Sequence, residues 1–134
     1  MGITGIEQEL GFMLASINDE LRKEEIGWGN VMYIHLYIND MSAFPLINQT
    51  YMKIITEEQC ARGVPSRSTV GLGLFDSGMG RVIVEVIAAK NLDKRVLHVQ
   101  SISCWAPSCI GPYSQVCFLK YVTSFVSLSL LKIN

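Results

Sequence analysis

Steps of three and four between apolar residues open the chain. Ile6, Leu10, Met13, Leu14, Ile17 and Leu21 fall on one side of a helical wheel, and "NDELRKEE" (18–25) supplies a solvated side. Thr4 and Glu7 stand in capping-box spacing at the predicted start, and Gly27 and Gly29 punctuate the predicted end. The period then drops to two. In "NVMYIHLYI" (30–38) Met32, Ile34, Leu36 and Ile38 alternate with Val31, Tyr33, His35 and Tyr37, which predicts a strand. Both of its faces are largely apolar, so it is expected at the centre of a sheet. A second helix is predicted from near Ser42, with Pro45 tolerated in the first turn and a buried stripe of Phe44, Ile47, Tyr51 and Ile54 or Ile55. Two more strands, "RSTVGLGLF" (67–75) and "RVIVEVIAA" (81–89), flank the turn-rich "DSGMG", a spacing that suits a hairpin. After the polar break "NLDK" (91–94), "VLHVQSIS" (96–103) is another predicted strand. The order describes an α+β fold in which two helices cover one face of a mixed sheet.

Composition narrows the classes of function. A chain of 134 residues has room for one core, and 49% apolar against 17% charged residues argues against a disordered chain. The net charge of −1, with no stripe of Lys or Arg, argues against a sequence-independent grip on nucleic acid. Met1-Gly2-Ile3-Thr4 lacks the basic start and apolar run of a signal peptide, so a cytoplasmic setting is expected. The four cysteines (Cys60, Cys104, Cys109, Cys117) are then expected as thiols, and the Asn48-Gln49-Thr50 glycosylation pattern as incidental. His98, Cys104 and Cys109 match no common zinc spacing, so no metal is expected. His35, between two tyrosines on its strand, reads as a packed histidine. The apolar stretch 116–131 is interrupted by Lys120 and several hydroxyls. It is also shorter than the roughly 20 residues of a spanning helix, so aggregation is a greater expectation than membrane insertion.

Several fixed residues resemble the Rid family, also called YjgF-like: small α+β domains of chorismate-mutase-like architecture that form trimers with ligand clefts between subunits. "NDMSAFPLINQTY" (39–51) resembles the family's entry into its second helix, with Asn48 at the usual Asn. "VPSRS" (64–68) resembles the Pro-x-Arg-Ser motif, and "VEVIAA" (84–89) the Glu-containing motif of the last strand. The resemblance covers residues 5 to 90. It implies that Arg67 grips a substrate carboxylate, that Glu85 positions a water and that Asn48 belongs to the same site. The family's Gly-Pro-Tyr, which normally comes first, occurs here as Gly111-Pro112-Tyr113. "LHVQSISCWAPSCIGPYSQ" (97–115) therefore resembles the first strand and turn of a second Rid-like domain. Residues 1–90 are expected to form a first Rid-like domain lacking its opening hairpin, residues 91–115 a linker and the start of a second, and 116–134 an aberrant tail of the kind intron read-through produces. Tandem Rid-like domains resemble the C-terminal region of the long eukaryotic diphthine–ammonia ligases, which amidate diphthine on elongation factor 2.

Each candidate residue carries two readings. Arg67 binds a carboxylate through its planar fork, or is a surface arginine at the start of a strand. Glu85, between Val84 and Val86, faces a cleft and holds a water, or turns to solvent. Asn48 orients a substrate or caps a local turn. Tyr113 is assigned to the second unit, which leaves open whether it reaches the first unit's site. The ligase resemblance implies an accessory module, expected to be inactive alone, with no cofactor in these residues. ATP is implied only for a nucleotide-binding domain of which no motif occurs here. The alternative is a stand-alone deaminase of 2-imino acids. Expected partners are a small carboxylate or imino acid, self-association or packing with the neighbouring Rid-like unit, and elongation factor 2 through the parent.

Overall fold

The computed structural model describes residues 5–73, 80–90, 93–100, 111 and 113–119, and the backbone of 125–131. The first apolar stripe becomes helix α1, Ile6–Lys23, and all six residues read as its inner face are buried. Its start differs from the capping-box expectation. Gly5 is the N-cap, with no side-chain cap hydrogen bond, so Glu7 falls one position too early to complete a box. Thr4 lies outside the described residues. Its end also differs, because the helix stops before Gly27. The amides of Ile26 and Glu25 donate to the carbonyls of Leu21 and Arg22, both at 3.0 Å, while Glu25 adopts φ 59°. That is a Schellman closure with a glutamate in the left-handed position.

Strand β1 (Val31–Ile38) is central, as its two apolar faces require. A single 3₁₀ turn, Met41–Ala43, is started by the Asp40 side chain accepting from the Ser42 amide and leads into α2, Phe44–Ile54. Strand β2 (Ser66–Gly71) returns parallel to β1, making a β-α-β unit. Strand β3 (Val82–Ala89) pairs antiparallel with the other edge of β1. The expected hairpin between β2 and β3 is thus corrected: β1 lies between them. β1 takes a hydrogen-bonded partner on each edge, and residues 72–81 are ample to cross one strand spacing on either side, about 5 Å each.

The stretch expected as an aberrant tail contributes two strands. β5 (Val116–Leu119) pairs antiparallel with β4 (Lys94–Leu97), and β6 (Phe125–Leu131) adds to the free edge of β3. The result is a four-stranded sheet in the order β2-β1-β3-β6 with a separate two-stranded ribbon, β4-β5. Residues Leu10, Met13, Leu14, Ile17 and Leu21 of α1 and Ile47 and Tyr51 of α2 share one core with Ile34, Leu36, Val84 and Val86 of the sheet. Two helices therefore cover one face of a mixed sheet, as expected. A buried carboxylate ties the layers: Glu9, 3% exposed, accepts from the amides of Arg81 at 2.5 Å and Val82 at 3.1 Å.

Candidate functional site

The helix α2 presents Phe44, Asn48 and Tyr51 at i, i+4 and i+7, hence on one face. Strand β2 presents Arg67 and Thr69 on one side of the sheet by its period of two. Register places Arg67 beside Ile34, which in turn pairs with Val86, so Arg67 belongs to the helix-covered face. There its Nη1 donates to Asn48 Oδ1 at 2.8 Å. The guanidinium carbon sits 4.5 Å from the ring centre of Tyr51, 4.8 Å from that of Tyr113 and 5.8 Å from that of Phe44. Such faces attract a cation while leaving the rim of the guanidinium for a ligand. Burial pulls the Arg67 pKa below its ordinary value, yet an arginine stays charged at neutral pH.

Tyr113 reaches this site, a point that its assignment to the second unit left open. Ser114 bonds the residues that lead into β2: its amide donates to Pro65 O at 2.9 Å and its hydroxyl to Val64 O at 2.6 Å. Gly111 lies against the same group. A Cβ there would stand 3.3 Å from Asn48 Oδ1 and 3.4 Å from Arg67 Nη2, tighter than ordinary contact, so the missing side chain permits the approach. Met41, Phe44, Arg67, Thr69 and Tyr113 line a cavity of about 190 Å³. The Thr69 hydroxyl is buried with no hydrogen-bond partner among the described residues.

Glu85 stands elsewhere. It pairs in register with His35, so it projects from the opposite face of the sheet to Arg67. Tyr37 donates its hydroxyl to Glu85 Oε2 at 3.0 Å, and His35 Nδ1 lies 3.7 Å from the same oxygen. Burial first, and this hydrogen bond second, raise the Tyr37 pKa. His35 packs as expected between aromatic neighbours, 4.0 Å from Tyr37 and 5.8 Å from Tyr33, centre to centre. Within one chain the structure unites Arg67 with Asn48 and leaves Glu85 apart from both.

A second cavity, of about 330 Å³, is lined by Glu57, Cys60, Ala61, Gly63, Val64 and His98. Cys60 and Cys117 are free thiols, and burial pushes the Cys60 thiol up to about 11, against the opposing pull of Lys94. Cys104 and Cys109, weighed above as metal ligands, lie outside the described residues.

Besides Met41 and Thr69, two residues of the Arg67 site are absent from the site residues read from the sequence. Phe44 and Tyr51 were assigned to the core only, although their spacing from Asn48 places them on its face of the helix. Tyr113 was seen, as part of Gly-Pro-Tyr, but separated from Arg67 by the division into two units.

No family model matches the chain. Solved structures share its fold: a Thermotoga maritima protein assigned as an endoribonuclease aligns with TM-score 0.57 and 19% identity, covering 68% of this chain and 67% of that one. A Salmonella typhimurium protein assigned as a translation initiation inhibitor aligns with TM-score 0.56 and 20% identity, covering 64% and 70%. The fold is thus that of the Rid/YjgF-like proteins, and at this identity the likeness concerns fold alone. In sequence, the chain is homologous to the diphthine–ammonia ligases of two yeasts. It is 31% identical to that of Saccharomyces cerevisiae over 85% of this chain, and 37% identical to that of Schizosaccharomyces pombe over 64%. It spans only 18% and 13% of the lengths of these relatives. No helix among the described residues is long and apolar enough to cross a membrane.

Proposed function

We propose that this chain represents the Rid-like accessory region of a diphthine–ammonia ligase-like protein, and that its Arg67 site binds a small carboxylate. The observation that carries the binding reading is electrostatic. The Arg67 guanidinium is drawn out of water between the rings of Tyr51 and Tyr113, and no acidic side chain among the described residues pairs with it. A desolvated cation without an anion favours an anionic ligand, and a cavity walled by Met41 and Phe44 limits it to a small one with a short apolar tail. In this reading the ATP-dependent amidation of diphthine on elongation factor 2 is carried out by parts of the relatives outside the matched segment, in the cytoplasm. The sheet face opposite the helices is the contact for a second copy or a neighbouring Rid-like unit.

Hydrolysis of a 2-imino acid ranks second. It needs Glu85 to direct water onto a ligand held by Arg67, and the two project from opposite faces of one sheet. A subunit contact would have to bring them together.

Titration of the chain with pyruvate, followed by NMR or calorimetry, tests the first reading. Saturable binding is expected, weakened about tenfold or more in Arg67→Ala, because a charge-assisted bidentate contact contributes roughly 1.5–3 kcal/mol. Arg67→Lys should recover only part of it, since an ammonium lacks the fork. Equal affinity in wild type and Arg67→Ala would overturn the assignment.

A further inference from the structure

The cavity of about 330 Å³ shares no lining residue with the one beside Arg67. Its wall comes from residues 57–64, which follow α2, and from His98, just beyond β4. One atom of that wall is left without a partner. His98 Nδ1 lies 3.0 Å from the carbonyl oxygen of Tyr113, and a carbonyl only accepts, so Nδ1 carries the hydrogen. His98 Nε2 is buried with no hydrogen-bond partner among the described residues. Glu57 Oε1 stands 3.6 Å from it, too far for a hydrogen bond, and accepts instead from Gln100 Nε2 at 2.6 Å. A charged ring would draw that carboxylate in, since the Glu57 side chain is 67% exposed and able to turn. The ring is therefore neutral, and Nε2 is a bare acceptor beside a second acceptor.

We propose that this cavity binds a small primary carboxamide, whose NH2 group donates one hydrogen to His98 Nε2 and the other to Glu57 Oε1. Charge decides against the ions. Lys94 Nζ donates to Gly63 O at 2.6 Å, on the cavity wall, and Arg62 stands between two lining residues, so an ammonium meets two like charges. A carboxylate meets Glu57 and the lone pair of Nε2. A neutral NH2 group avoids both, and it costs less to take out of water than either ion. Two hydrogens also match two acceptors, where an alcohol offers one. The rest of the wall suits a short alkyl tail: Ala61, Val64 and the Cys60 thiol, which burial keeps protonated. The volume is ample for such a molecule and far exceeds that of one water.

Titration of the whole chain with propionamide, followed by proton–nitrogen NMR, tests the site. Saturable shifts are expected at the Ala61, Gly63 and Val64 amides and at His98 Nε2, with a Kd on the order of millimolar for so small a ligand. Butanone has the same shape with a methyl in place of the NH2, and is expected to bind about tenfold more weakly or worse, the range of two hydrogen bonds. Propylammonium and propionate are expected to be at least as weak. Only the ligand changes in these arms, so folding cannot account for the difference. Glu57→Ala, at an exposed side chain, is expected to weaken propionamide about threefold or more. Arg67→Ala is expected to leave its affinity unchanged, which separates this site from the carboxylate reading. Equal affinity for butanone, tighter binding of either ion, or loss of the shifts in Arg67→Ala overturns the proposal. Absence of saturation also overturns it, and would mean that water alone meets Nε2.

Discussion

Tyr51 shows how one side chain serves core and site together. Its ring is fully buried, and one face stacks on Arg67, yet its hydroxyl finds no hydrogen-bond partner among the described residues. Burial accordingly pushes its pKa well above the ordinary range of a phenol, despite the opposing pull of the Arg67 charge. An unpartnered buried hydroxyl costs about 1–3 kcal/mol, whereas the ring face stacks equally well without it. Tyr51→Phe is therefore expected to leave unfolding free energy unchanged or raise it by up to about 1 kcal/mol in urea titrations. Destabilisation by more than that amount would mean that the hydroxyl has a partner in solution. The same residue shows what a sequence conceals. The helical stripe gave Tyr51 a buried position, but its contact with Arg67 depends on a β-α-β return that periodicity does not encode.

The elements differ in how openly the chain announces them. The inner face of α1 is legible from spacing alone, since burial follows directly from a period near 3.6. Its ends are not, because both are closed by backbone rather than by the usual side chains. Gly5 caps without an oxygen, and Glu25 takes a left-handed position that glycine normally fills, with Ile26 closing over the core. Gly27 drew the predicted end two residues too far along. Relieving the strain at Glu25 supplies a test: Glu25→Gly removes a Cβ that costs about 1 kcal/mol at positive φ and should stabilise the chain by roughly 0.5–1 kcal/mol. Thermal melts of the two chains measure it, and a lower midpoint for Glu25→Gly would show that this closure does not persist. Glu9 escaped notice for a related reason. A glutamate on an otherwise apolar face looks like a solvated edge until the start of β3 brings two backbone amides to it.

At the scale of the molecule, the missing information is pairing. Residues 116–131 read as a run without turn signals, but "FVSLSLL" alternates, and pairing puts Val126, Leu128 and Leu130 beside Ala88, Val86 and Val84, which face the core. A period of two thus predicts a strand while leaving its neighbour unspecified, and long-range partners are what a single chain of letters states least. The β4-β5 ribbon brings Tyr113 to Arg67, whereas β6 pairs with β3 at the sheet edge opposite β2, the strand that carries Arg67. The two roles should separate in a chain ended after Leu119. Without β6, the backbone donors and acceptors along one side of Val82–Ala89 become an open edge. Faster amide exchange along β3, a lower melting temperature and concentration-dependent association are expected from such an edge. The Arg67 Nε–H proton signal, whose ring-current shift reports the Tyr113 face 4.8 Å away and gives a signature of the site, should keep its position, because Tyr113 and the β4-β5 pairing remain. Loss of that signature in a shortened chain that still melts cooperatively would show that closure of the main sheet, rather than the ribbon, sets the site.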